Sequence, residues 1–431
     1  MATTSSPRLP AASPHSRWGG ARRELTLVRI AILVVGLHVV DDNFLQPQRG
    51  TSAGDHLVSG LVPLALLALA TWAHPRLPGG GRAAVAVVLG VLGVIAGSEA
   101  IAYTNKVGAS GDDFTGLLAV PAGLLLVGVG ISTAWRTRRR GGGRPRRYLR
   151  RALVCVASAA VAAFVVLPIA VAYVTTHISR PVVPADRLGV AHERVSFTTS
   201  DGLRLTGWYV PSRNRAAVIA FPGRNGPQRP ARMLARHGYG VLLFDRRGEG
   251  ESQGDPNAWG WGGERDIKAA IAFLQRRADV DPDRIGGLGL SVGGELMLQS
   301  AAETDALKAV VSEGGGARSI REYREMPGIA KAPLAFGLQA AISAALTVFS
   351  NRVPPPALQD LVGRIAPRRV MLIWATHGVD TEVLNPKFYA AAGEPKTLWE
   401  IPESGHTGGI EARPREYERR VVSFFDDALL G

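Results

Sequence analysis

The chain has 431 residues, enough for two or three domains with a well-buried core. A hydrophobic fraction of 46% and a net charge of +14, carried mostly by arginine, argue against an ordinary soluble globular protein. The single cysteine, Cys155, excludes an internal disulfide framework and a cysteine metal cluster, but leaves the redox compartment open.

Residues 1–22 are rich in Pro, Ser and Arg and lack periodicity, so they read as a disordered basic tail. Apolar runs follow at about 25–45, 57–73, 83–104, 114–135 and 152–174. Each approaches the roughly 20 residues that a bilayer-spanning helix needs. None shows the polar stripe of an amphipathic surface helix. The first is the weakest, because Arg29 interrupts it. Residues 23–178 are therefore expected to form an all-α transmembrane region of about five helices.

The loops give an orientation. Arg136, Arg138, Arg139, Arg140, Arg144, Arg146, Arg147, Arg150 and Arg151 precede the last run with no acid among them. Arg76 and Arg82 mark another basic loop, while Asp41, Asp42, Asp55, Asp112 and Asp113 fall in the alternate ones. Basic loops stay cytoplasmic. The expectation is a multi-pass cell-membrane protein with a cytoplasmic N-terminus and everything after about residue 178 extracytoplasmic. The arginine loop lacks interleaved aromatics and a folded module, so nucleic acid is not an expected partner. His38, Asp41, Asp42, Asp55, His56, Glu99, Asp112 and Asp113 share one predicted side, where intramembrane acids invite a cation reading. Their spacing matches no defined ligand motif, and solvated loop charge is the alternative, so no metal is assigned.

From about residue 190 short β-rich runs alternate with helical stretches. Strands are predicted at 191–199, 203–210, 216–221, 240–245, 284–290, 307–312, 369–375 and 396–401. Helices are predicted at 228–237, 263–277, 293–303, 384–392 and 414–429. The first two strands read as a hairpin turning at Asp201-Gly202. The later alternation implies a mostly parallel sheet covered on both faces.

Gly-x-Ser-x-Gly occurs twice, around Ser52 and around Ser291. The chemistry needs a strand running into the serine and a helix leaving it, so that the hydroxyl is lifted clear of the sheet. Ser52 lies in a polar loop with no strand before it. Ser291 follows the predicted strand 284–290 and precedes a helical stretch, and is the expected nucleophile. A serine needs a base, and the base needs an orienting acid. Of the two later histidines, His377 follows its strand too closely, so the expected base is His406, in Glu403-Ser404-Gly405-His406-Thr407-Gly408. Asp380 is the favoured acid, with Glu382 second and Glu313 third. Two backbone N–H groups should meet the developing oxyanion. Val292 supplies one; Arg224, after the strand ending at Phe221, is expected to supply the other, with Asn225 in reserve.

Residues from about 179 onward resemble the α/β-hydrolase superfamily, in particular its serine hydrolases related to dienelactone hydrolases and to prolyl-oligopeptidase-type catalytic domains. The resemblance rests on Phe197-Thr198-Thr199-Ser200-Asp201-Gly202-Leu203, on Asp245-Arg246-Arg247-Gly248-Glu249-Gly250-Glu251-Ser252, and on Asp281-Pro282-Asp283-Arg284-Ile285 leading to Ser291. Ala366-Pro367-Arg368-Arg369-Val370 and Ser404-Gly405-His406 extend it, over about 240 residues in order. It implies an α/β-hydrolase fold with a mostly parallel eight-stranded sheet and acyl transfer to water through an acyl-enzyme. No cofactor is implied. Pro222 stands where the family commonly has histidine. Residues 314–366 read as an insertion that is either a lid, shaping an acyl pocket or dipping toward the bilayer, or an ordinary crossover. Trp259 and Trp261 either line the pocket or pack.

The expected substrate is a small-molecule, lipid or peptide acyl compound, cleaved at an ester rather than an amide. A serine peptidase or acyltransferase with the same residues is the enzymatic rival. A transport or sensing protein with a non-catalytic hydrolase-like domain is the rival from another class. The sequence carries no signal for oligomeric state.

Overall fold

The computed structural model describes residues 14–107, 111–138, 144–177, 182–327 and 332–431. Two compact units account for them: residues 1–45 with 60–157, and residues 46–59 with 158–431.

The first unit is helical. α1 (Pro14–Val40), α2 (Leu57–Ala73), α3 (Gly79–Val107), α4 (Gly111–Thr137) and most of α5 (Arg144–Val161) build it. Residues 14–22, read from sequence as part of an unstructured tail, are the first turns of α1; residues 1–13 lie outside the described set. α3 and α4 meet along a glycine seam. A Cβ on Gly90 would lie 2.5 Å from the Gly123 carbonyl oxygen, and one on Gly97 2.5 Å from that of Gly116. Repeats of small residues let helix backbones approach where water supplies no driving force, as in a membrane. Val28, Ala31, Ile32 and Val35 of α1 bury against Ala122, Leu126 and Val129 of α4. Glu24 bridges Arg82 at 3.1 Å and Arg136 at 2.9 Å.

Among the described residues, five helical segments are long and apolar enough to cross a membrane: Ala53–Arg76, Gly79–Ala102, Phe114–Thr137, Pro145–His177 and Pro333–Ser350. The first four coincide with the second to fifth runs expected from sequence. The first run, in α1, is not among the five; Glu24 and Arg29 lie within that helix and Asp41 and Asp42 directly follow it. The fifth segment belongs to the insertion after residue 314.

The second unit begins with the chain 46–59 and, after α5, with α6 (Leu167–His177). Its sheet holds β1 (Glu193–Thr198), β2 (Arg204–Val210), β3 (Ala217–Phe221), β4 (Gly240–Phe244), β5 (Ile285–Leu290), β6 (Ala309–Glu313), β7 (Arg369–Trp374) and β8 (Lys396–Glu400). The spatial order is β1-β2-β4-β3-β5-β6-β7-β8. β1 and β2 pair antiparallel, as do β2 and β4; all other pairs are parallel. This is the α/β-hydrolase fold. Every predicted strand is present. The hairpin turns at Gly202, whose φ of +85° glycine adopts without a Cβ penalty.

α7 (Gln228–Arg236), α8 (Glu264–Gln275), α9 (Val292–Glu303), α10 (Ile320–Glu325), α11 (Pro333–Ser350), α12 (Asn385–Ala391), α13 (Gly409–Ala412) and α14 (Pro414–Leu429) complete the unit. The central strands are buried on both faces, which is why they read as continuous apolar runs. One face packs Phe221, Phe244, Ile267 and Met297; the other packs Ala220, Leu288, Tyr417 and Phe425. β3 and β5 lie at the middle of the order, so the loops at their carboxyl ends open side by side, where open α/β sheets place their sites.

Candidate active site

Gly286 and Gly287 of β5 carry no side chain because their neighbours fill the space. A Cβ there would meet Phe425 at 2.7 Å and the Met297 sulfur at 2.6 Å. The strand ends at Leu290, and Ser291 adopts φ +54° and ψ −128° before α9 begins. That left-handed conformation is unfavourable for a residue with a side chain. The flanking glycines make it feasible. A Cβ on Gly289 would lie 2.3 Å from the Gly293 carbonyl oxygen, and one on Gly293 2.6 Å from that of Phe221. The Ser291 N–H donates to the Glu313 carbonyl at 2.8 Å, fixing the turn to β6.

His406 sits in the loop after β8. Its Nε2 lies 2.8 Å from Ser291 Oγ, and its Nδ1 lies 2.6 Å from Glu382 Oε1. An ionised carboxylate only accepts hydrogen bonds, so Nδ1 carries the proton and Nε2 presents its lone pair to the serine hydroxyl. Gly314, with φ +69°, makes room for the ring: a Cβ there would come within 3.1 Å of His406 Cε1. Sequence reasoning passed over Gly314; its position directly after β6 was the available signal.

Glu382 is 1% exposed and lies in the single turn Asp380–Leu384 after β7. Its Oε2 accepts the Ala375 N–H at 3.0 Å and its Oε1 the Val379 N–H at 3.2 Å, so the carboxylate is oriented before it meets the imidazole. The favoured acid from sequence, Asp380, is exposed at the start of this turn and is not the residue against His406. The extra methylene of glutamate and the inward face of the turn give that place to Glu382. Glu313 is also excluded by its partners: Tyr417 donates its hydroxyl at 2.7 Å and Gly409 its N–H at 2.8 Å. Burial pushes the Glu313 carboxyl above its ordinary range. It braces α13 and α14 behind the histidine loop. His377 is exposed in the loop after β7.

Val292 opens α9, so its first-turn N–H has no intrahelical acceptor and stands beside Ser291. The second expected donor is corrected. The Arg224 N–H is turned to Asp245 Oδ1 at 3.2 Å, and its buried guanidinium pairs with Asp245 and, at 2.8 Å, with Glu251. A carboxylate already holds that N–H; Asn225, the reserve donor, is exposed on the same turn. Asp245 and Glu251 anchor the turn after β3, while Arg247 pairs with Asp266 at 2.7 Å and with Asp201 at 3.0 Å.

The second Gly-x-Ser-x-Gly has a different role. Ser52 caps the short turn Ala53–His56, with its N–H and hydroxyl both on Asp55, at 2.9 and 2.8 Å. His56 bonds Thr51 at 2.9 Å and lies 3.6 Å from Asp255. In the first unit His38, Asp41, Asp42 and Glu99 are buried, with Thr115 linking His38 at 3.2 Å to Asp41 at 2.6 Å; the side chains of Asp112 and Asp113 lie outside the described set. A cavity of about 400 Å³ in the second unit is lined by charged and apolar residues alike, among them Asp55, Asp201, Arg247, Asp255, Leu203 and Trp261, and by none of Ser291, His406 and Glu382.

The family pattern for X-Pro dipeptidyl-peptidase (S15 family) matches residues 174–380, just under half of the chain. It contains Ser291 and ends before Glu382 and His406. The uncharacterised protein YfhR of Escherichia coli (strain K12) is 28% identical over 262 residues, covering 55% of this chain and 81% of that protein. Polyketide transferase grgF of a Penicillium species is 33% identical over 133 residues, covering 27% of this chain and 43% of that protein. Among solved structures, a Pyrococcus furiosus esterase is 24% identical with a TM-score of 0.48, covering 58% of this chain and 98% of that one.

Proposed function

We propose that this chain, a serine hydrolase of the α/β-hydrolase fold, is a membrane-anchored enzyme that cleaves an ester through an acyl-enzyme on Ser291. The observation that carries the reading is His406 held between Ser291 Oγ at 2.8 Å and Glu382 Oε1 at 2.6 Å. Ser291 Oγ attacks the ester carbonyl while His406 Nε2 takes its proton. Glu382 steadies the imidazolium. The carbonyl oxygen, now an anion, is met by the Val292 N–H and by an N–H of the turn 222–226, for which Asn225 is the candidate. As the tetrahedral adduct collapses, His406 returns the proton to the departing alcohol. Water, deprotonated by the same histidine, then attacks the acyl-enzyme and releases the acid and free Ser291. The chemistry needs no cofactor.

The spans at 53–76, 79–102, 114–137 and 145–177 are read as the anchor. The arginine-rich stretch before the last of them favours an extracytoplasmic catalytic domain, by the cytoplasmic retention of basic loops. An alkaline phosphatase fused after residue 431 is expected to be active; an inactive fusion that is stably made would contradict this side.

A second reading is favoured by the S15 match, which points to an amide of a peptide. The purified full-length protein, given a nitrophenyl ester and a nitroanilide of the same acyl group, separates the two. The ester reading expects the ester to turn over and the anilide to remain; efficient anilide cleavage establishes the peptidase instead.

A further inference from the structure

α11 runs for 18 residues, Pro333–Ser350, without a single Asp, Glu, Lys or Arg, and is apolar enough to cross a membrane. The sheet forbids a crossing. β6 ends at Glu313 before this helix and β7 starts at Arg369 after it, yet the two pair in register from Ala309↔Arg369 to Glu313↔Ile373. Both flanks of α11 therefore lie on one side of any bilayer. The chain between α11 and β7 holds no return span, because Leu358, Val362 and Ile365 are buried in the core of the sheet.

α11 nevertheless packs along a membrane helix. Its Phe349 ring meets Tyr173 of α6 edge-on at 5.7 Å and His177 at 6.0 Å. A Cβ on Gly337 would contact Phe164 at 3.4 Å. The two helices thus run parallel, with the start of α11 level with Phe164. The helix Pro145–His177 has Arg146, Arg147, Arg150 and Arg151 at one end. About 20 residues cover the hydrocarbon core, which therefore extends from Arg151 to roughly residue 171. Phe164 then lies roughly 10 Å inside the boundary nearer the catalytic domain. Phe164, Val165, Leu167 and Val174 of the helix Pro145–His177 remain exposed, and Leu334 at the start of α11 is 75% exposed.

The same helices reach the catalytic elbow through one loop. The Ala258 N–H donates to the Thr175 carbonyl at 2.8 Å, and Trp259 Nε1 to the Thr175 hydroxyl at 3.2 Å. Trp261 packs with Ala172 of α6 and Leu346 of α11. Gly260, between the tryptophans, backs onto Val292: a Cβ there would lie 2.7 Å from Val292 Cγ2. One short loop therefore joins the residue next to the nucleophile to the membrane helices.

We propose that α11 lies within the leaflet nearer the catalytic domain, entering and leaving it on the same side, and that Ser291 takes its acyl ester from that leaflet, so that the substrate class is a membrane lipid ester. The substrate half rests on the serine-hydrolase reading; the insertion does not. Helices that lie in an interface without spanning bind through buried apolar area, and the uncharged surface of α11 beside α6 supplies it.

The test uses the full chain in phosphatidylcholine–phosphatidylglycerol vesicles, in a Cys155→Ser background. Spin labels at Leu334→Cys and Leu338→Cys are read for collision with oxygen against a water-soluble nickel chelate. The expected oxygen-to-nickel ratio matches that of a label at Leu167→Cys and exceeds that of one at Asp305→Cys, on the catalytic domain surface, at least fivefold. Ratios equal to the Asp305→Cys control overturn the insertion. In parallel, Leu334→Asp and Ala344→Asp, both at exposed positions, are expected to cut hydrolysis of a long-chain ester embedded in the vesicles at least tenfold. Hydrolysis of a soluble short-chain aryl ester should be unchanged. Undiminished hydrolysis of the embedded ester, or a wild type active only on the soluble one, overturns the substrate class. A wild type inert toward both esters contradicts the hydrolase reading and the substrate class together, while the label ratios still decide the insertion.

Discussion

Glu382 Oε1 and His406 Nδ1 meet at 2.6 Å, on the ring edge opposite the 2.8 Å contact between Nε2 and Ser291 Oγ. The carboxylate fixes the tautomer that makes the serine attackable. Glu382→Gln keeps the shape but offers a donor as well as an acceptor, and is expected to lower kcat about a thousandfold or more. Asp380→Asn, at an exposed position, should change it less than about twofold. Steady-state hydrolysis of a soluble aryl ester by both variants checks the assignment; the opposite ranking would return the acid to Asp380.

Gly293→Ala tests the elbow as backbone geometry. The added methyl would lie 2.6 Å from the Phe221 carbonyl oxygen, which belongs to the sheet and has little freedom to move. Displacing the nucleophile by about 1 Å is expected to cost roughly a hundredfold in acylation rate. Pre-steady-state release of the alcohol measures that rate directly, and a near-normal burst would show that the elbow relaxes.

Asp201 links stability to pH. Its partial burial would raise its pKa, but hydrogen bonds from Arg247 and Thr199 outweigh that and hold the carboxyl well below the ordinary value of 3.8. The folded state therefore binds fewer protons than the unfolded one as pH falls through 3.8 and below. The stabilisation is complete above that pH and fades below it. Asp201→Asn is expected to cost roughly 1–2 kcal/mol at pH 7, allowing for partial exposure. Thermal unfolding of the wild type and variant should show the gap narrowing as the medium is made more acidic than pH 4. A gap independent of pH would assign the loss to packing.

The parts of this arrangement that could be read from sequence are those written in one stretch of chain. The central strands were legible because fully buried parallel strands leave uninterrupted apolar runs, β1 and β2 because they flank the Asp201-Gly202 turn, and Ser291 because a strand, two glycines and a helix surround it in order. The acid was not. Asp380 and Glu382 share one turn, and only the fold decides which of them faces inward. Nor was the fate of the Arg224 N–H legible, since its partner Asp245 follows a different strand. The 314–366 insertion could be read as dipping toward the bilayer, but the relation of its helix to α6 depends on two segments more than 150 residues apart. α1, with Glu24 and Arg29 inside it, shows the converse: a long helix can form where composition alone gives an ambiguous span.

The central claim is that Ser291 is the nucleophile that His406 activates. A fluorophosphonate probe applied to the full-length protein in native membranes measures this most directly. The wild type is expected to be labelled covalently, and Ser291→Ala to lose labelling while remaining folded and inserted. Labelling that persists in Ser291→Ala, or a folded wild type that the probe never modifies, would contradict it.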